Sequence, residues 1–136
     1  SPTVSAYIEK EPSEDNLAML EKDVEAIVEN NYVKLAKEGY KCADALLDLE
    51  YRIFAASGKQ LTYAELWAAR TSWPLNKEVL SHIWQASEIF EKNNKSDKAI
   101  KIWSFLKEKG PKGEFEVKLA AARLEKEKTA LQDLWQ

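Results

Sequence analysis

Apolar residues recur three and four positions apart along almost the whole chain, the period of a helix that turns one face inward. Leu17, Leu20, Val24, Ile27 and Val28 form the first such row. Ser13 precedes it as a candidate N-cap, with Glu14 and Asp15 placed to favour the helix dipole. Asn30 and Asn31 interrupt the row and predict a stop or a kink. The next segment, 32–57, carries two adjacent rows. One reads Val33, Ala36, Tyr40, Ala43, Leu47, Tyr51 and Phe54; the other reads Leu35, Gly39, Cys42, Leu46, Leu49 and Ile53. Two rows make a wide apolar face, so this segment is expected to be the central helix, touched by several others. Its continuity requires Gly39 inside the helix, at a cost of about 1 kcal/mol relative to alanine.

Local punctuation divides the rest. Ser57 and Gly58 end the long segment, and Thr62 with Glu65 matches a capping box that opens a short helix to about Thr71. Trp73 and Pro74 interrupt it, because a residue before proline is pushed out of the helical region. Asn76 is a cap for the next helix, with Val79, Leu80, Ile83, Ala86 and Phe90 facing inward. Asn93, Asn94 and Lys95 form a turn, and Ser96 is placed to cap a helix whose buried face is Ile100, Trp103 and Leu106. Gly110 and Pro111 stop it. A last helix starts near Glu114, with Val117, Ala120, Leu124, Leu131 and Leu134 close to heptad spacing.

These elements predict an all-α fold, a compact bundle of five or six mostly antiparallel helices joined by short loops. Residues 13–136 are expected to form a single domain. Residues 1–12, with Pro2 and Pro12 and no sustained period, read as a flexible lead-in. The near-heptad row of the last helix suits either closure of the bundle or pairing with a second copy as a homo-oligomer.

Composition narrows the function. Only four glycines and four prolines occur among 136 residues, which favours helix over sheet. The net charge of −3 shows no basic excess of the kind nucleic-acid binders carry. A single cysteine, Cys42, excludes an intrachain disulfide. No apolar run approaches the roughly 20 residues that span a bilayer, and no signal-peptide pattern opens the chain, so an intracellular place, cytoplasmic or nuclear, is expected. The start at Ser1 and Pro2 reads as a fragment of a larger protein.

One histidine and one cysteine cannot make a standard zinc site. A Cys42–His82 nucleophilic pair would want an orienting third group and an oxyanion hole, and no loop motif supplies either. Cys42 is therefore expected in the core as a small hydrophobe, and His82 at the surface beside an apolar row. No phosphate-binding loop or dinucleotide fingerprint occurs. The expectation is a non-enzyme without catalytic residues, metal or cofactor; an enzymatic role would need a polar pocket around His82 or Tyr63.

The aromatic set is the strongest functional lead. Four of the five tryptophans lie between Trp67 and Trp103. Trp67 and Trp103 fit a core. Trp73 sits on a loop before proline, while Trp84 and Phe105 are displaced from the inward rows of their helices. Trp73, Trp84 and Phe105 are thus the expected anchors of a protein–protein interaction domain, part of a larger assembly, that takes a partner helix or peptide on an aromatic-rich face. The alternative is a nucleic-acid-binding module. It would use Lys77, Lys92, Lys95, Lys98 and Lys101, with Leu61 to Ser87 as a helix-turn-helix. Glu78 and Glu88 on the would-be recognition helix oppose phosphate, and no arginine accompanies them.

Overall fold

A computed structural model describes residues 14–135 of the chain. The fold is all-α: six helices and no strand occur among the described residues. They are α1 (Glu14–Lys37), α2 (Cys42–Ala56), α3 (Gln60–Ala68), α4 (Lys77–Lys92), α5 (Ser96–Lys109) and α6 (Phe115–Leu134). The chain divides into two compact units, one ending at Gln60 and one beginning at Leu61. The proposed lead-in over 1–12 and the Ser13 cap lie outside the described residues.

The first unit is a helical hairpin. α1 runs through Asn30 and Asn31, where a stop or kink was expected. Asn31 Nδ2 donates to the Ile27 carbonyl 2.9 Å away, one turn back, so the asparagine bonds along the helix instead of ending it. The break falls at Gly39, whose φ of 82° lies in the left-handed region. Tyr40 N donates to Leu35 O and Gly39 N to Ala36 O, the paired bonds of a Schellman motif. The single central helix expected over 32–57 is therefore two helices. Glycine's freedom at positive φ outweighed the continuity of the apolar rows. The same bond pattern ends α2 at Gly58 and α4 at Asn94.

Val24, Val28 and Tyr32 of α1 and Ala43, Leu47 and Phe54 of α2 are buried. Polar links join the two helices near both ends. The Tyr32 hydroxyl donates to Asp44 Oδ1 (3.4 Å) near the turn. Lys59, just past α2, donates to Glu21 Oε2 (2.8 Å) at the other end. Burial pushes the Glu21 carboxyl up, but the Lys59 and Ser57 hydrogen bonds and the Lys59 charge outweigh it and leave Glu21 below the usual carboxylate value.

In the second unit α4, α5 and α6 follow one another as hairpins, and α4 also meets α6. Asn76 caps α4 as the sequence predicts, its side chain accepting from Val79 N at 2.8 Å. Val79, Leu80, Ile83, Ala86 and Phe90 are all buried, as expected. α3 begins at Gln60, two residues before Thr62, and Glu65 pairs with Lys98 on α5. Ser96 is the first residue of α5, and no side chain caps that end. Between α5 and α6, Gly110 is extended (φ −71°, ψ 151°); a Cβ there would collide with Val117 Cγ2 and the Leu106 carbonyl. That glycine serves close approach.

Trp103 joins three helices. Its indole N–H donates to Ser87 Oγ (2.9 Å) on α4. The Arg123 guanidinium of α6 lies 4.5 Å over its ring. Arg123 also donates to both carboxylate oxygens of Glu91 on α4. That pairing holds Glu91 below the usual carboxylate range and raises Arg123 above its ordinary value. On α6, Val117 and Ala120 are buried, whereas Leu131 and Leu134, which closure of the bundle would have covered, are 60% and 82% exposed. Cys42 is exposed and His82 is buried, the reverse of the expectation for each.

Candidate functional site

α3 supplies few residues but large ones. Tyr63, Ala64 and Trp67 are fully buried. The Tyr63 hydroxyl bonds His82 Nδ1 and lies 3.1 Å from Gln85 Oε1. A phenol has one proton. Donation to Gln85 with acceptance from His82 Nδ1–H satisfies all three groups and sets the imidazole tautomer. His82 stacks on Trp67 with centroids 5.0 Å apart and 15° between planes. The Arg70 guanidinium lies 4.7 Å from the Trp67 centroid and 4.5 Å from that of Trp73. Trp67 meets Trp73 edge-on at 5.5 Å. Trp67 is thus fixed by a histidine, a guanidinium and a second indole, each a favourable contact for a π face or edge.

Beside Trp67 opens a cavity of about 240 Å³. Its apolar walls are Trp67 and Ala68 from α3, Ile83 from α4, and Ile102 and Phe105 from α5; Glu65, Thr71, Lys98 and Lys101 also line it. The α5 members fall at 98, 101, 102 and 105, the spacing of one helical face. Phe105 is half-buried and lines this cavity. Lys98 pairs with Glu65, with side chains 41% and 49% exposed. Lys101 is exposed and makes no ion pair among the described residues.

The cavity unites parts of two sets that the sequence kept separate. Phe105 comes from the expected partner-binding set, and Lys98 and Lys101 from the expected nucleic-acid set. The remaining members lie elsewhere. Trp73 packs on Arg70 and Trp67, half-buried. Trp84, also half-buried, sits 6.5 Å from Trp103. Lys77 opens α4 and Lys92 closes it, and Lys95 occupies the cap position of α5. The walls Trp67, Ile83 and Ile102 were missed as site residues, because periodicity marks a buried face without marking where that face remains incompletely covered. The one available signal was the shared spacing of Lys98, Lys101, Ile102 and Phe105.

The first unit holds a different cavity, lined by Leu17, Glu21, Ala56, Ser57 and Lys59, where the Lys59–Glu21 pair brings opposite charges together. Cys42 belongs to the first unit and His82 to the second. Among the described residues no three or more His, Cys, Asp or Glu side chains are grouped to hold a metal ion. No helix among them is long and apolar enough to cross a membrane. Set against protein-family models, curated proteins and solved structures, the chain matches none of them.

Proposed function

We propose that this chain is a non-enzymatic interaction domain that receives an apolar side chain of a partner helix or peptide in the α3–α4–α5 cavity. The observation that carries this reading is an open cavity with aromatic and aliphatic walls on a firmly held floor. Trp67 is fixed from several sides, so its part of the cavity needs little ordering when a ligand arrives, and pre-formed sites lose less entropy on binding. Phe105, half-buried at the cavity, offers the kind of aromatic contact found at interface hot spots. Trp73 and Trp84 support neighbouring rings in this reading, and Phe105 alone of the expected anchors touches the ligand.

A methyl-detected NMR titration with N-acetyl-leucine amide and N-acetyl-phenylalanine amide tests it. Ile83 and Ile102 methyl signals are expected to shift most, with saturation, and Phe105→Glu is expected to abolish the shifts. Shifts spread evenly over the chain, or none at Ile83 and Ile102, would remove the reading.

A further inference from the structure

The cavity's occupant has a sign as well as a shape. Lys98, Lys101, Ile102 and Phe105 line the cavity from one face of α5, and Lys109 falls on the same face by spacing, four residues beyond Phe105. Lys109 lies eleven residues beyond Lys98, roughly 16 Å along the helix at 1.5 Å per residue. The acidic neighbours of this stripe do not neutralise it. Glu65 pairs with Lys98, but both side chains are two-fifths exposed or more, so the pair is weak and a ligand carboxylate can exchange for it. Glu108 reaches Lys109 only at 3.9 Å, with side chains 74% and 64% exposed. Lys101, between the two, has no ion-pair partner among the described residues.

We infer that the partner segment is an acidic amphipathic peptide. One large apolar residue would enter between Ala68, Ile102 and Phe105, above the buried Trp67, and flanking carboxylates would meet Lys101 and Lys98, with Lys109 one turn beyond Phe105. This inference rests on the reading of the cavity as a peptide dock and adds the charge of the ligand to it. Nucleic acid fits the same place less well. The walls are apolar, Glu65 stands among the lining groups, and Lys77, Lys92 and Lys95 do not line the cavity.

The test is to pan a displayed library of random peptides against the full chain, with Phe105→Glu as the counter-selection, and to measure selected peptides by fluorescence anisotropy. The expected result is enrichment of sequences that pair an apolar anchor with flanking Asp or Glu. Their affinity should fall tenfold or more in Lys98→Glu/Lys101→Glu and weaken as salt rises, while peptides with Lys in place of the acids regain binding to that variant. Cavity-dependent peptides that are neutral or basic would overturn the charge inference and leave the docking reading standing. No cavity-dependent enrichment would overturn both. A single-stranded oligonucleotide that displaces the peptides and binds more tightly than any of them would overturn the inference in favour of nucleic acid.

Discussion

The hairpin of 14–60 packs mainly through aliphatic and small side chains, Val24, Val28, Ala43 and Leu47, with Tyr32 and Phe54 as its buried rings. The unit beginning at Leu61 packs four helices around Tyr63, Trp67, Phe90 and Trp103, and every tryptophan of the chain lies in it. Charge follows the same division. Residues 1–60 carry 7 basic and 12 acidic side chains, and residues 61–136 carry 13 and 11. Each unit has a cavity lined in part by lysine. In the hairpin Lys59 is bonded to the buried carboxylate of Glu21; in the second unit Lys101 stands exposed beside apolar walls. A cation already satisfied by its own chain holds the fold together, whereas one left available beside an apolar surface is a means of recognition. The proposed dock therefore belongs to the second unit.

Trp67→Ala tests that division most severely. It deletes a fully buried indole and the contacts of His82, Arg70 and Trp73, at an expected cost of about 3–5 kcal/mol. Chemical denaturation followed by the four remaining tryptophans reads the second unit alone. Phe105→Ala removes a half-buried ring and should cost about 1 kcal/mol while abolishing ligand binding. Equal destabilisation by the two would show that Phe105 is core and that the cavity is an incidental gap in packing.

The next largest contrast is between two glycines. Gly110→Ala drives a Cβ against Val117 Cγ2 and the Leu106 carbonyl, for an expected loss of about 1–3 kcal/mol. Gly39→Ala meets nothing within 4 Å, and its cost is the left-handed backbone alone, about 1–2 kcal/mol. Asparagine separates the causes. It takes the left-handed conformation at Asn94, the corresponding end of α4. Gly39→Asn should recover most of the lost stability in thermal melts, and Gly110→Asn should recover none. Smaller again is the cap: Asn76→Ala should cost about 1 kcal/mol. Thr62→Ala should fall near zero, because α3 is already under way at that residue. A measurable loss at Thr62 would restore the capping box.

These contrasts also show where the sequence was legible. From Leu61 onward, breaks coincide with residues that have a chemical reason to break a helix: Asn76 caps, Asn93 and Asn94 turn, and Gly110 with Pro111 stops. The inward face of α4 followed. In the hairpin the same residue types misled. Asn31 resembles a turn but bonds to its own helix, and Gly39, which resembles a tolerated defect, ends α1. In α6 periodicity left two readings open, bundle closure and pairing with a second copy. Its apolar row continues to Leu134, yet Leu131 and Leu134 are exposed, because a repeat specifies a face and not the partner that covers it. Burial of His82 escaped for a related reason. Its place depends on Tyr63, Gln85 and Trp67, and two of these lie on another helix. The cavity combined Phe105 with two lysines that had been assigned to a competing function.

Acid unfolding gives the finest version of the comparison. Glu21 in the hairpin and Glu91 in the second unit are both held below the ordinary carboxyl value of 4.5. A carboxyl with a depressed folded pKa contributes stability that is fully present above its unfolded value and is lost as pH falls through the lower folded one. Both contributions are therefore complete at neutral pH and fade below pH 4.5. Each pair sets a more exposed group against a less exposed one: Glu21 is 9% exposed and Lys59 48%, while Glu91 is 36% and Arg123 26%. Salt therefore screens both pairs. Melts from about pH 6 to about pH 3, at low and high salt, should show an acid-induced fall in Tm that Glu21→Gln and Glu91→Gln each flatten. Added salt should shrink both shares to a similar degree. A Glu21 share untouched by salt would mean that burial of the carboxylate alone governs screening, and the hairpin would then hold the better shielded pair.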